Sequence, residues 1–280
     1  MLREYLRFPG FLRKSVTLSY DDGVRPDKRL VAIMKENGIK GTFNINGGLL
    51  AKEITSPTSG RMTAEEVVET YIPSGMEVAC HGYKHLSLGV VPMLHGAADV
   101  IDDRRALEEL LGTVVNGMAY ANGTYNAEVM TMLSSLGILY SRTVKSTENF
   151  ELFTNPLEWN PTCHHNNPRL MDLARAFITE EGIRPNYRRH TKLFYLWGHA
   201  YEFDNNDNWN VIREFCEYVG GREDIWYATN KEIYEYVTAY DRLEFSMNGD
   251  KVYNPSGLDM YLRIKDNDVL VPKGETVVIQ

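Results

Sequence analysis

Short apolar strands alternate with helix-like stretches along most of the chain. The segments 16–20, 42–45 and 76–80 are apolar and rich in β-branched residues, and a polar turn or a histidine follows each of them. Thr63-x-x-Glu66 is a capping box and marks the start of a helix. The pattern predicts further strands at 114–120, 138–140 and 193–197, and helices between Pro26 and Asn37 and at 63–71, 93–111, 127–136, 170–178, 208–219 and 231–240.

This alternation predicts an α/β protein built on a parallel sheet. Strands that are joined by helical crossovers pair in parallel, and the crossover helices cover the sheet. Six or more such units within residues 1–240 exceed a single βαβ unit and favour a closed or nearly closed (β/α) barrel. We therefore expect one barrel domain over residues 1–240.

The last forty residues have a different pattern. Short strand-like runs at 243–246, 251–253, 258–264, 269–271 and 276–279 are separated by turns rich in Asn, Asp, Gly and Pro. We expect residues 241–280 to form a small all-β appendage. It is interpreted either as a substrate-docking or dimer-contact module or as a β flap that covers one end of the barrel.

Composition limits the partners and the compartment. Acidic residues outnumber basic ones, 38 to 30, which disfavours a nucleic-acid partner because phosphate binding needs a basic face. The three cysteines lack the spacing of a disulfide framework and are interpreted as reduced thiols.

We expect no membrane span. As it stands the sequence indicates a cytoplasmic protein, or an extracellular or envelope-associated one if a leader has been trimmed. The oligomeric state stays open, with a dimer as one option.

Chemically capable side chains follow four of the predicted strands. They are Asp21-Asp22, His81-x-x-x-His85, Asn122-Gly123 and His199. The carboxyl ends of parallel barrel strands meet at one face, so these groups are expected to converge. Two histidines and one carboxylate are a ligand set for a divalent ion that keeps positions open. A second carboxylate can then accept a proton from water, and a separate histidine can protonate a leaving group.

Three of these segments resemble the motifs of one family. Leu18-Ser19-Tyr20-Asp21-Asp22-Gly23 resembles the first motif of the polysaccharide deacetylases, which are carbohydrate esterase family four and carry the NodB homology domain. Cys80-His81-Gly82-Tyr83-Lys84-His85 resembles the second motif, and Leu196-Trp197-Gly198-His199 resembles the last. The resemblance spans residues 14–240 and implies a distorted (β/α) barrel.

The resemblance also implies roles for individual residues. Asp22, His81 and His85 would bind the metal, usually zinc, with cobalt or nickel as substitutes. Asp21 would be the general base that deprotonates the attacking water, and His199 the general acid that protonates the leaving group. The implied substrate is a carbohydrate that carries N-acetyl or O-acetyl groups.

The third motif departs from the family. Ala119 stands where an arginine that orients the base would be expected, so another cation must serve or Asp21 must be held differently. Tyr120 or a neighbouring residue is the predicted source of a backbone N–H for the developing oxyanion. Tyr120 and Asn122 are therefore predicted to bind substrate.

The fourth motif has its nearest match in Glu158-Trp159. Glu158 is predicted to pair with His199 and to keep it protonated, because a neighbouring anion favours imidazolium. Trp159 is predicted to form the apolar wall for the acetyl methyl group, with an ordinary core position as the equal alternative. Cys163-His164-His165 is interpreted as a polar loop near the site rather than as a metal site.

Two other functions fit the same pattern. One is a hydrolase of a cyclic amide or ureide on the same fold, which the missing arginine keeps open. The other is a carbohydrate-binding protein without turnover, against which the intact Asp21 and His199 argue.

Overall fold

The computed structural model describes residues 3–181 and 190–279. The strands in chain order are β1 (Leu6–Arg7), β2 (Lys14–Asp21), β3 (Gly41–Ile45), β4 (Glu77–Cys80), β5 (Gly117–Ala119), β6 (Tyr140–Arg142), β7 (Cys163–His164), β8 (Lys192–Gly198), β9 (Ile225–Tyr227), β10 (Glu244–Phe245), β11 (Lys251–Tyr253), β12 (Met260–Ile264), β13 (Asn267–Val271) and β14 (Thr276–Val278). The α-helices are α1 (Asp27–Glu36), α2 (Ala64–Tyr71), α3 (Met93–Leu111), α4 (Ala127–Ser135), α5 (Leu170–Thr179), α6 (Tyr201–Asn205), α7 (Trp209–Val219) and α8 (Asn230–Tyr240).

The centre of the fold is a curled parallel sheet with the strand order β6-β5-β4-β3-β2-β8-β7. Strand β9 also pairs with β2, along its first residues. Every residue of β2 and β8 is buried, which is typical of parallel strands that helices cover on the outside. Because all of these strands run in the same direction, their carboxyl ends form one face of the barrel.

The gap between the edge strands β6 and β7 is bridged by the chain between them. The Trp159 N–H donates to the carbonyl of Ser141 on β6 (3.1 Å), and the Thr162 N–H donates to that of Tyr195 on β8 (2.8 Å). The same segment thus joins both sides of the gap. The predicted distorted (β/α) barrel with a C-terminal β appendage is confirmed.

Most predicted elements are present, with shifted ends. The strand predicted at 114–120 is only Gly117–Ala119, and the strand predicted at 138–140 is Tyr140–Arg142. Gly137 has φ 75° and ends the preceding turn, so the strand begins later than its apolar residues suggest. This shift matters because it places Arg142 at the carboxyl end of a barrel strand.

The C-terminal strands form two antiparallel three-stranded sheets, β10-β11-β14 and β1-β12-β13. The second sheet takes β1 from the other end of the chain, where Leu6 pairs with Leu262. The appendage is therefore not made from residues 241–280 alone. Buried Met260 and Leu262 belong to one hydrophobic cluster with Val237 of α8, so the appendage packs on the last barrel helix. No helix within the described part of the chain is long and apolar enough to cross a membrane.

Candidate metal centre and active site

The two aspartates lie where β2 ends. Asp22 has φ 85°, a conformation that is rare outside glycine. The turn is anchored by Asp27 at the start of α1, whose carboxylate accepts the Val24 N–H (3.1 Å) and the Tyr71 hydroxyl (2.7 Å). Such backbone strain costs on the order of 1–3 kcal/mol and is typical of functional positions.

The two histidines of the second motif point at the Asp22 carboxylate. His81 follows β4, and its Nε2 lies 4.0 Å from Asp22 Oδ1 and 3.8 Å from Asp21 Oδ2. His85, with φ 57°, lies on the next turn, and its Nε2 is 3.7 Å from the same oxygen. The structure therefore brings together the three predicted metal ligands.

Groups behind His81 fix the orientation of its ring. Its Nδ1 lies 2.9 Å from the carbonyl oxygen of Ala119, so Nδ1 carries the proton and the Nε2 lone pair faces Asp22. The Asp103 carboxylate on α3 accepts the backbone N–H of His81 (2.9 Å) and of Gly47 (2.6 Å). Asp99, one turn earlier, accepts the Lys84 N–H (2.8 Å). Helix α3 thereby holds the loop that carries both histidines.

Two groups among residues 3–181 and 190–279 place ligand atoms within 4.8 Å of one another; they are Asp22/His81/His85 and His164/His165/Glu202. In the first group Asp22 Oδ1 is buried and accepts no hydrogen bond from any described residue, although the Arg61 guanidinium lies 3.1 Å away. In the second group His164 Nδ1 accepts the Asn166 N–H (3.1 Å), which puts the proton on Nε2. In the second group the His164 Nε2 is thus a donor toward Glu202, whereas in the first group the His81 Nε2 carries a lone pair, and this difference favours the first group as the metal site.

Asp21 is paired with Arg142, a residue that the sequence analysis did not identify. The Arg142 guanidinium, which is fully buried, donates to Asp21 Oδ2, and Asn44 Nδ2 donates to Asp21 Oδ1 (2.8 Å). Burial alone would raise the pKa of Asp21, but Arg142, together with His81 and His199, lowers it to about 2. Asp21 is thus an anion that can accept a proton at neutral pH.

The position of Arg142 explains how the site tolerates Ala119. The two residues are direct partners in the parallel pairing of β5 and β6, so they stand at the same level of the barrel on neighbouring strands. The cation that would be expected on β5 is supplied by β6. The guanidinium also stacks on the Trp197 ring, 4.3 Å from its centroid. Arg142 comes two residues after the predicted strand 138–140, and this was the available signal in the sequence. Only the pairing of β5 with β6 shows that its side chain reaches Asp21.

His199 follows β8 and faces Asp21, with 3.9 Å between His199 Nε2 and Asp21 Oδ2. Its Nδ1 lies 2.7 Å from Glu202 Oε1. The predicted pairing of His199 with Glu158 is wrong, because the Glu158 carboxylate accepts the Tyr125 hydroxyl (2.8 Å) instead. Burial opposes charge on His199, yet the Glu202 carboxylate and Asp21 raise its pKa above the ordinary value.

The remaining predicted substrate residues have structural partners. The Tyr120 N–H donates to the carbonyl of Arg142 (3.1 Å) and its hydroxyl to that of Leu157 (2.8 Å), so the predicted oxyanion donor is already engaged. Trp159 is 1% exposed and packs against Tyr140, Phe153 and Tyr195, which places it in the core rather than on a substrate wall. Asn122 is exposed, with φ 55°, and its Nδ2 donates to Ser87 Oγ (2.9 Å).

Part of the chain matches the model of a known family. Residues 10–141, just under half of the chain, match the family model described as polysaccharide deacetylase. The match includes Asp21, Asp22, His81 and His85 but ends one residue before Arg142. No curated protein matches the chain.

Solved structures with the same fold cover most of the chain. A Mycobacterium smegmatis protein described as a polysaccharide deacetylase is 19% identical, with a TM-score of 0.60 over 85% of this chain and 94% of that one. The allantoinase Puue is 14% identical, with a TM-score of 0.59 over 81% and 91%. A Pseudomonas aeruginosa PAO1 protein described as a polysaccharide deacetylase is 14% identical, with a TM-score of 0.58 over 81% and 91%. At these identities the similarity establishes the fold alone.

Proposed function

We propose that this chain, whose residues 10–141 match the model of the polysaccharide deacetylase family, is a metal-dependent hydrolase that removes acetyl groups from a carbohydrate. Asp22, His81 and His85 would hold one divalent ion, for which zinc is the first candidate and cobalt or nickel are substitutes. When bound there, such an ion lowers the pKa of water and polarises an acyl carbonyl.

The protein's own side chains would handle the protons. Asp21, kept anionic by Arg142, accepts a proton from the water that attacks the acetyl carbon. His199 stands across from Asp21 and donates a proton to the leaving nitrogen or oxygen of the sugar. Both aspartates lie near His81, but Asp21 is also paired with Arg142 and faces His199, whereas Asp22 lies next to His85, so we assign proton transfer to the first and the ion to the second.

The observation that carries this proposal is the convergence of the predicted groups on one face of the barrel. The Nε2 atoms of His81 and His85 lie within 4.0 Å of the same Asp22 oxygen, and this buried oxygen accepts no hydrogen bond from the described residues. Two imidazole nitrogens around one carboxylate form a ligand set that suits a divalent ion.

The proposal is tested by measuring acetate release from a panel of N- and O-acetylated sugars and oligosaccharides. Activity should disappear on chelation and return with Zn²⁺ or Co²⁺, and Asp21→Asn and His199→Ala should each lose roughly 10²–10⁴-fold in kcat. Full activity in either variant would overturn the assigned roles.

Allantoin and other cyclic ureides belong in the same panel. Turnover of a ureide without acetate release would favour the alternative hydrolase, and saturable sugar binding without product under any metal would favour a binding protein.

A further inference from the structure

Glu202 lies at the centre of a cluster of nitrogen atoms beside the active site. Its Oε1 is 2.7 Å from His199 Nδ1 and 3.5 Å from His164 Nε2. Its Oε2 is 3.1 Å from His165 Nε2 and accepts a hydrogen bond from Asn166 Nδ2 (2.5 Å). Four nitrogen groups from two separate segments therefore surround one carboxylate.

The hydrogen-bond pattern assigns the protons of this cluster. His164 Nδ1 accepts the backbone N–H of Asn166, so the proton of its ring is on Nε2 and points at Glu202. His199 Nε2 faces Asp21, and its Nδ1 faces Glu202, so a proton on Nδ1 satisfies the carboxylate. Burial would raise the pKa of Glu202, but contacts with His164, His165 and His199 hold it well below its usual range.

His165 is the rigid part of the cluster. Its ring is fully buried and stacks between Tyr20 (centroids 5.7 Å apart) and Phe203 (4.2 Å apart). Gly198 makes room for this ring, because a Cβ atom at that position would overlap it. The glycine between Trp197 and His199 is thus required by the packing of an imidazole from another segment. Glu202 is thus in contact with an imidazole whose position is fixed by packing on two aromatic rings.

We propose that Glu202 is the residue that positions His199 for proton donation, and that His164, His165 and Asn166 lock the carboxylate in the required orientation. This inference rests on the proposed function, in which His199 protonates the leaving group. By accepting a hydrogen bond from Nδ1–H, Glu202 fixes the ring so that Nε2 is the atom presented to the substrate. The role that the sequence suggested for Glu158 belongs to a residue three positions after the histidine itself.

The leaving group provides a test that separates positioning from general structural damage. A sugar amine or alcohol needs a proton to depart, whereas 4-nitrophenolate departs as the anion. Glu202→Gln should therefore lose about 100-fold in kcat on an N-acetylated sugar, with KM nearly unchanged, and far less on 4-nitrophenyl acetate. Asp204→Asn is the matched control, because Asp204 is exposed on the same helix and bonds Trp209 Nε1 (2.7 Å) instead. It should behave like the unmodified protein on both substrates.

A second measurement does not depend on turnover. Long-range ¹H–¹⁵N spectra of the seven histidines, with His199 assigned by its replacement, report which ring nitrogen carries the proton. The proposal predicts an Nδ1-protonated His199 in the unmodified protein and a changed tautomer or protonation equilibrium in Glu202→Gln. Equal losses on both substrates, or an Nδ1 signal that Glu202→Gln leaves unchanged, would overturn the positioning role. If the unmodified protein releases no acetate at all, the proposed function fails, while the spectra still decide whether Glu202 orients His199.

Discussion

The two halves of the candidate site are built in opposite ways. On the β2–β4 side, Asp22, His81 and His85 point at one another across distances of 3.7–4.0 Å and leave a buried oxygen without a hydrogen bond. On the β7–β8 side, Glu202 is surrounded by nitrogen groups. In the first half the His81 Nε2 carries a lone pair, whereas in the second half the His164 Nε2 is a donor toward the Glu202 carboxylate. Both clusters combine histidines with a carboxylate, but they differ in which ring nitrogen carries the proton. A nitrogen with a lone pair can bind a metal ion, whereas a protonated nitrogen donates a hydrogen bond.

The largest expected effect comes from the first half. His85→Ala removes one predicted ligand that is partly exposed, so the fold should survive while bound metal and acetate release both fall to background. Metal analysis and activity on the same preparation check this expectation. As a comparison, His164→Ala should keep its metal. Unchanged metal content in His85→Ala would show that the ion is held elsewhere.

Arg142 joins the two halves, since it pairs with Asp21 and stacks on Trp197. Arg142→Met would leave the Asp21 carboxylate buried without its cation, which typically costs about 3–5 kcal/mol of folding free energy. Urea unfolding should show this loss, and the double variant Asp21→Asn/Arg142→Met should recover part of it. A loss below about 1 kcal/mol, the range of an exposed ion pair, would mean that the pair is not what holds Asp21.

Gly198→Ala perturbs only the second half. The added methyl group would force the His165 ring out of its stack, and overpacking of this kind costs roughly 1–3 kcal/mol. We expect kcat on an acetylated sugar to fall while the affinity for Zn²⁺ stays the same. A variant that binds Zn²⁺ more weakly would show that the two halves are not independent. Calorimetric unfolding with and without Zn²⁺ measures the loss of stability and the affinity for Zn²⁺, and acetate release measures kcat.

The smallest expected effect is on the pH dependence of stability. The folded protein lowers the pKa of Glu202 below its ordinary value of 4.5, so its contribution to stability is present above that value and is lost as the pH falls below it. Glu202→Gln should therefore be less stable than the unmodified protein at pH 6, and the difference should shrink below about pH 4.5. Urea midpoints across this range test it. A constant difference would show that the charge of Glu202 does not matter for folding.

The sequence predicted one half of the site better than the other for a physical reason. Asp21, Asp22, His81 and His85 come directly after strands of a parallel barrel, and the alternating pattern is enough to bring such positions together. The orientation of Asp21 depends on the register between β5 and β6, which places Arg142 beside Ala119 and which no local pattern encodes. Glu158 was selected by motif order, but it bonds Tyr125 because the chain from 156 to 159 follows the outside of β6.

The elements of the fold were also predicted well where a local pattern exists and poorly where it does not. Helices with a capping box or clear periodicity were located to within a few residues, as for α2 and α3. The two-residue strands β1 and β7 were not predicted, because so few residues carry no periodicity of their own. The pairing of β1 with β12 joins the two ends of the chain, and such long-range contacts leave no local pattern.

The most direct test is the number of divalent ions that the chain binds. The metal-free protein, titrated with Co²⁺ and followed by its visible absorption, should bind one ion per chain. That ion should be absent from Asp22→Ala and retained, with unchanged affinity, by Glu202→Gln. Two ions per chain, or an ion that Glu202→Gln loses and Asp22→Ala keeps, would contradict the account, because the His164/His165/Glu202 cluster would then be a metal site.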